Sequence, residues 1–188
     1  MTFSYRRGFT VRSRPTTTAD WGDGVSNVGL LFVGAVLLVN GLGLLGQVDA
    51  RSGAVLNAFV GALTGAIALN AGFTGDTFTA AKLLLFSFTY LWVAYNAWAR
   101  VDDGRAFGWY CLFVAVVAAP IALITFDDGD GWFGLFWASW AGLWLVYFFI
   151  LALGVDRLTK VAGVATLVIA VTTCVVPGFL LVSGKWDG

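Results

Sequence analysis

The sequence contains no histidine and no glutamate, and its only methionine is residue 1. Without histidine, a Ser/His hydrolase and a haem site lose their central residue, and so does the usual protonation switch near neutral pH. The two cysteines, Cys111 and Cys174, lie in apolar runs without metal-ligand spacing. This arrangement argues against a disulfide scaffold and against a zinc site.

Charged residues are scarce as well. They make up 12% of the 188 residues, whereas 59% of the residues are apolar. A soluble domain carries about a quarter charged residues, so this composition excludes an ordinary soluble domain, a disordered chain and a nucleic-acid-binding protein. The 11 basic and 11 acidic residues balance, which gives no indication of a polyanionic partner. The class that is left is a protein that crosses the lipid bilayer several times.

Long uncharged stretches set the fold class. A membrane-spanning helix needs about 20 mainly apolar residues. Six stretches meet this requirement, with every charged residue outside them: 28–46, 53–73, 83–99, 106–126, 131–155 and 161–184. Lipid offers no partner for unpaired backbone groups, and these runs are too long and continuous for the alternating strands of a membrane barrel. The sequence therefore predicts an all-α membrane protein, a compact bundle of six transmembrane helices.

The short loops predict the orientation of the bundle. Five basic residues lie in the first, third and fifth loops: Arg51, Arg100, Arg105, Arg157 and Lys160. Only Lys82 and Lys185 lie on the other side, together with an acidic fourth loop. Because short cytoplasmic loops are enriched in Lys and Arg, we expect the odd-numbered loops in the cytoplasm and both termini outside.

The segment 1–24 does not fit this orientation, because it carries four arginines that would lie outside. The stretch SYRRGF resembles a twin-arginine signal, but the apolar run begins some way later and no A-x-A cleavage site follows. We expect residues 1–24 to be a disordered extension or the product of a mis-called gene start, with Val25 as the true initiator. Residues 25–188 then form the membrane domain.

The predicted spans contain no ionisable side chain. Ion-coupled transporters and intramembrane enzymes need such groups within the membrane. We therefore expect no enzymatic activity, no metal and no cofactor, and we expect the passive movement of an uncharged solute.

Aromatic residues of the fifth span follow a helical spacing. Phe133, Trp137, Trp140, Trp144 and Tyr147 step by four, three, four and three residues, which places them on one stripe. Pore lining is one interpretation, and helix packing or an interfacial aromatic belt is the other. Similar stripes are Phe86 with Tyr90 in the third span, and Leu30, Val33, Leu37 and Asn40 in the first.

Asparagine, glycine and proline residues within the spans bear on how the helices pack and bend. Asn40 is costly in lipid unless it meets water in a pore or forms an interhelical hydrogen bond. Gly61 and Gly65 form a pair that favours close helix packing, within the bundle or between protomers. Pro120 and Pro177 predict kinks in the fourth and sixth spans.

Four segments resemble one known family, the urea/amide channels (AmiS/UreI). They are NVGLLFVGAVLLVNGLGLLGQVDARSGAVLNAFVGAL (27–63), LLFSFTYLWVAYN (84–96), WYCLFVAVVAAPIA (109–122) and WFGLFWASWAGLWL (132–145). The resemblance implies a six-helix bundle with one pore per protomer. It also implies a homo-hexamer in the bacterial inner membrane, which passes urea or short amides to a cytoplasmic urease or amidase. The implied pore-lining residues all belong to odd-numbered spans: Leu30, Val33, Leu37, Asn40, Phe86, Tyr90, Trp137, Trp140, Leu143 and Trp144.

Two departures from the family pattern bear on gating. Acid-gated members carry a long, histidine-rich loop after the second span, where this chain has only TGDTFTAAK. They also place a glutamate in the sixth span, at the position of Ile169 here. The sequence therefore predicts a channel without acid gating. The alternative is a structural or assembly subunit of a larger membrane complex.

Overall fold

The computed structural model describes residues 18–186, with the side chains of residues 26–186. It consists of helices throughout, with no strand in this range. The elements are α1 (Thr18–Leu44), α2 (Ala50–Phe73), α3 (Thr77–Ala99), α4 (Arg105–Asp127), α5 (Gly131–Leu151), a 3₁₀ turn (Asp156–Leu158), α6 (Thr159–Ile169), a π-helical segment (Ala170–Val175) and α7 (Val176–Val182). The last four elements form one sixth span, Asp156–Val182, and all six spans are long and apolar enough to cross a membrane. The prediction of a six-span all-α bundle is confirmed.

Aspartates at the loop ends start three of the helices. The Asp49 carboxylate accepts hydrogen bonds from the backbone N–H groups of Arg51 and Ser52, each at 3.1 Å. Asp76 and Asp130 cap α3 and α5 in the same way. A carboxylate at this position satisfies free backbone donors and complements the helix dipole, so a helix begins at its cap rather than at its first apolar residue.

This rule corrects one prediction. Because the helices begin before and end after the apolar runs, the spans include charged residues towards their ends: Lys82 in α3, Arg51 in α2, Arg105 and Asp127 in α4, and Asp156, Arg157 and Lys160 in the sixth span. The expectation that no span carries a charged residue is therefore wrong at these positions. The ammonium group of Lys82 lies 4.7 Å from the centre of the Phe78 ring, within the range of a cation–π contact. A lysine stem near a helix end covers apolar surface while its charged group stays close to water.

The start of α1 also differs from the sequence prediction. The helix begins at Thr18, seven residues inside the segment 1–24 that we expected to be disordered. Residues 1–17 lie outside the described part of the chain, and the expectation of an N-terminal extension stays a prediction.

The two prolines act differently from one another. α4 continues through Pro120 as one helix, so the structure shows no break there. Pro177 lies in the first turn of α7, directly after the π-helical segment, in which the N–H of Val176 bonds to the carbonyl of Val171. Proline has no N–H to donate and is tolerated in a first helical turn, so the chain changes helix type just before it.

The six spans form a ring in sequence order, in which close contacts alternate with looser ones. Three close pairs pack along much of their length: α2 with α3, α4 with α5, and α1 with the sixth span. Three looser seams join these pairs: α1 with α2, α3 with α4, and α5 with the sixth span.

Glycines bring the helices of the close pairs together. A Cβ atom on Gly61 would lie 2.7 Å from Cγ of Leu91 in α3, and one on Gly34 would lie 2.9 Å from the backbone nitrogen of Val175. Gly108 in α4 faces the backbone of Ala152 in the same way. For Gly61 and its neighbour at position 65, the packing interpretation is confirmed within the bundle.

Side-chain hydrogen bonds cross each of the looser seams. Asn40 of α1 and Asn57 of α2 exchange two of them. The Tyr110 hydroxyl of α4 donates to the carbonyl of Leu85 in α3 at 3.0 Å. The seam between α5 and the sixth span has two, which pair Trp140 with Thr173 at 2.9 Å and Tyr147 with Thr166 at 3.0 Å.

Candidate functional site

A cavity of about 620 Å³ lies inside the ring, at the end where the first and third loops meet. We call this end the odd-loop end. The cavity runs from residues of these loops to the middle of α3 and α5. Its wall consists of Leu37, Val39, Asn40, Gly43, Leu44, Val48, Asp49, Ala50, Gly53, Asn57, Phe86, Thr89, Tyr90, Val93, Asn96, Ala97, Arg100, Val101, Asp102, Gly104, Phe107, Cys111, Trp140, Leu143, Trp144, Tyr147, Ile150 and Leu151.

Aromatic rings close the inner end of this cavity. The Phe86 ring lies 5.1 Å from the Trp140 ring, edge to face, and 5.1 Å from the Trp144 ring. Trp137 continues the group, with its ring 5.8 Å from Phe86 and 5.1 Å from Trp140. We call these four residues the aromatic constriction. Rings at these distances and angles support one another, so the group is a packed unit rather than four separate side chains.

Most of the residues that the resemblance implied for a pore lie in this wall. Seven of the ten line the cavity: Leu37, Asn40, Phe86, Tyr90, Trp140, Leu143 and Trp144. Leu30, Val33 and Trp137 do not line it. Val33 and Leu30 precede Leu37 by one and two helical turns, about 6 and 10 Å along α1. They continue the same stripe along α1, away from the odd-loop end.

Even-numbered spans also contribute to the wall, contrary to the implication that only odd-numbered spans do. Gly53 and Asn57 come from α2, and Phe107 and Cys111 come from α4. In the sequence, Asn57 simply precedes the Gly61 and Gly65 pair by four residues. Such residues carry no local pattern that distinguishes them, because only the packing of the looser seams brings them to the interior.

Other lining residues could have been found from the sequence. Thr89 and Val93 each follow a recognised residue, Phe86 or Tyr90, by three positions and therefore share its helix face. Tyr147 lies on the predicted stripe of α5 and lines the cavity, whereas Phe133 at the other end of that stripe packs against Phe136 and Trp186. One part of the stripe therefore lines the cavity, and the other part packs against neighbouring side chains.

The cavity contains uncharged polar groups in an otherwise apolar wall. The Asn40 side chain bonds to Asn57 and still has one N–H and one oxygen lone pair available. The Tyr90 hydroxyl has no hydrogen-bond partner among residues 26–186, although only 2% of the residue surface is exposed. The Trp140 indole N–H, in contrast, is used by Thr173. The Trp140 N–H is therefore not available to a solute.

Charged groups lie at the ends of the bundle. Asp49, Arg100 and Asp102 border the cavity at its mouth. Nearby, hydrogen bonds from the Arg105 side chain and backbone hold the pKa of the exposed Asp103 carboxyl at about 2. At the opposite end, the backbone N–H of Thr79 lowers the pKa of Asp76. Within residues 18–186, no three His, Cys, Asp or Glu side chains lie close enough together to hold a metal ion.

A bundle of six spans around a cavity whose inner part is uncharged is the architecture of a multi-pass membrane transport protein. The sequence matches the AmiS/UreI family transporter over residues 25–185. The chain belongs to this family.

Relatives whose names describe a function support this membership. The chain is 41% identical over 168 residues to a putative transporter protein AmiS2 of Rhodococcus erythropolis, covering 86% of this chain and 81% of that protein. It is 42% identical over 169 residues to a putative amidate substrates transporter protein of Mycolicibacterium smegmatis, covering 87% and 79%. The structure resembles the crystal structure of the urea channel of Helicobacter pylori with a TM-score of 0.74 and 31% identity, covering 85% and 98%.

Proposed function

We propose that this chain is a passive channel for urea and short aliphatic amides. The observation that carries this proposal is the aromatic constriction, which ends a cavity whose interior polar groups are neutral amides and hydroxyls. The names of the relatives, a urea channel and an amidate transporter, agree with these solutes.

The cavity at the odd-loop end forms one half of the proposed path, which a solute can follow in either direction. A cavity of about 620 Å³ holds a small solute together with water, since a water molecule occupies roughly 30 Å³ in the liquid. There the solute can exchange part of its hydration for hydrogen bonds with the remaining N–H of Asn40 and with the Tyr90 hydroxyl. Hydrogen bonds to neutral groups are individually worth about 1 kcal/mol, so the solute is not held tightly and can move on.

At the aromatic constriction the shape of the solute becomes decisive. Urea and acetamide are flat, and a flat molecule can slide between the rings of Phe86, Trp140 and Trp144 with weak stacking contacts. Leu30 and Val33 then continue an apolar path towards the other end. An ion has no counter-charge in this region, and its loss of hydration costs several kcal/mol or more. The same wall therefore favours neutral solutes and opposes ions.

The distribution of basic residues and the family membership complete the proposal. The odd-loop end faces the cytoplasm, both termini face outward, and the chain lies in the bacterial inner membrane as a homo-hexamer with one pore per protomer. The solute that enters the cell supplies a cytoplasmic urease or amidase, and the chain itself is not an enzyme.

Stopped-flow light scattering on proteoliposomes tests the function directly. Inward gradients of urea and then acetamide are applied at pH 5 and pH 7.5, with protein-free liposomes as the control. We expect fast flux of at least one solute at both pH values. Flux no faster than that of the empty liposomes would contradict the channel and favour the structural-subunit alternative.

A further inference from the structure

We propose that Thr173 is a positioning residue that sets the selectivity of the aromatic constriction. It holds the Trp140 indole so that the solute meets the face of the ring and not its N–H. This inference rests on the proposed channel function, which it refines by assigning a role to a residue of the sixth span.

The hydrogen bond has a defined direction. The Thr173 hydroxyl donates its one proton to the carbonyl of Ile169 at 2.7 Å. Its oxygen is therefore the acceptor for the Trp140 Nε1–H, at 2.9 Å. Only 4% of the surface of each side chain is exposed. Because both residues are buried, loss of the acceptor would leave the indole N–H unsatisfied at a cost in free energy, so the bond favours one indole orientation.

The π-helical segment determines which threonine can do this. Thr172 and Thr173 are adjacent in this segment, and each hydroxyl bonds to a carbonyl four residues earlier, at 2.8 and 2.7 Å. Thr172 is exposed on the outside of the bundle, whereas Thr173 faces α5. A π segment changes which residues face the bundle interior, which is one reason why such segments are frequent at functional sites.

The orientation of the Trp140 indole matters because its ring lines the cavity and also packs against two other rings of the aromatic constriction. It stands at 90° to the Phe86 ring and at 78° to the Trp137 ring, each with the ring centres 5.1 Å apart. Rotation of the indole would break both edge-to-face contacts and change the width of the passage. With Trp140 fixed, the solute finds its hydrogen-bond donors elsewhere. The Trp144 indole and the Tyr90 hydroxyl line the cavity without a hydrogen-bond partner among residues 26–186.

Three variants isolate the hydroxyl of Thr173. Thr173→Val removes the acceptor and keeps the side-chain shape, and Thr173→Ser keeps the hydroxyl. Thr172→Val is the matched control, because it removes the same kind of hydroxyl from the same π segment on the outer face. For each variant, the ratio of N,N′-dimethylurea to urea permeability is measured in proteoliposomes. This ratio does not depend on how many channels are folded or incorporated, so a merely structural defect leaves it unchanged.

We expect the ratio to rise in Thr173→Val by about three- to tenfold, the factor that corresponds to one ordinary hydrogen bond. Thr173→Ser and Thr172→Val should keep the ratio of the original protein. If the original protein conducts and Thr173→Val keeps its ratio, the positioning role is overturned while the channel function stands.

A second measurement does not depend on flux. The indole N–H signal of Trp140 is observed by ¹⁵N NMR in detergent and assigned with Trp140→Phe. We expect slow hydrogen exchange of this N–H in the original protein and in Thr173→Ser, and fast exchange in Thr173→Val. Equal exchange in Thr173→Val and the original protein would overturn the hydrogen bond. If the original protein passes no urea, the proposed function fails, and the selectivity role fails with it, even where the NMR result confirms the bond.

Discussion

Asn40 and Asn57 form a reciprocal amide pair between α1 and α2. The Nδ2 of Asn57 donates to Oδ1 of Asn40 at 2.7 Å, and the Nδ2 of Asn40 donates to Oδ1 of Asn57 at 3.0 Å. The second N–H of Asn57 reaches the carbonyl of Gly53 at 3.0 Å. Asn57 is thus saturated as a donor and almost fully buried, while Asn40 lines the cavity with an N–H to spare. The pair satisfies both side chains in the membrane and directs one of them at the solute.

The amide pair leads to a prediction that separates stability from transport. Asn57→Leu should lower the free energy of unfolding by about 1–3 kcal/mol, because Asn40 loses its partner. The double change Asn40→Leu with Asn57→Leu should recover much of that loss, since no unpaired amide remains. Urea flux should fall in the double variant all the same, because the cavity loses its amide. Thermal unfolding in detergent and stopped-flow flux measure the two effects.

The matched control for this experiment is Thr64→Val. Thr64 is buried in the same helix, and its hydroxyl bonds to the carbonyls of Val60 and Gly61, not to another helix. We expect its urea permeability per folded channel to equal that of the original protein. A double asparagine variant that conducts urea at the original rate would refute the solute contact of Asn40.

Truncation of the aromatic constriction should change selectivity. Trp144→Ala and Phe86→Ala each remove a ring from the 5.1 Å contacts that close the cavity, so wider solutes such as dimethylurea should pass more easily relative to urea. Trp140→Ala should act in the same direction. Proteoliposome flux of both solutes measures the ratio, and Trp98→Ala in the exposed part of α3 is the control. Unchanged ratios in all three constriction variants would count heavily against a slot between rings.

The close pair of α2 and α3 should not tolerate a larger residue at Gly61. The new Cβ of Gly61→Ala would lie 2.7 Å from the Leu91 side chain and 3.0 Å from its backbone nitrogen, so the two helices must separate. We expect a loss of about 1–3 kcal/mol in stability, as for other overpacked sites. Gly142→Ala in α5 is the control, because no atom lies within 4 Å of its new Cβ. Fluorescence-detected size-exclusion chromatography after heating compares the two, and equal melting temperatures would contradict the close contact.

Transport should not depend on pH between 5 and 7.5. The chain has no histidine. Asp103, whose pKa is held at about 2 by Arg105, stays ionised throughout this range. A carboxyl with a lowered pKa stabilises the fold above its ordinary pKa, and this contribution is lost only as the pH falls through the lowered value. The same flux at both pH values is therefore expected for urea. Flux that appears only at pH 5 would show acid gating by groups other than histidine.

The spans and the aromatic stripe were predictable from the sequence for a physical reason. Helix length in a bilayer is set by its thickness, and residues three or four apart share a face, so both leave a regular pattern. No such pattern in the sequence indicates the role of Thr173. It depends on a change of helix type before Pro177, which shifts every later residue around the axis. Lys82 was misplaced because its helix starts at a capping aspartate, outside the apolar run.

The close packing of helices at glycines has a consequence for the stability of a protein that is exposed to urea, its own solute. Concentrated urea loosens proteins because it solvates peptide groups and apolar surface. In this bundle a dissolved amide can compete for hydrogen bonds that border the cavity, such as the pair of Asn40 and Asn57 across a looser seam. At Gly34, Gly61 and Gly108 the helices touch so closely that no solute fits between them. The contacts within the close helix pairs are therefore inaccessible to the urea that passes through the ring.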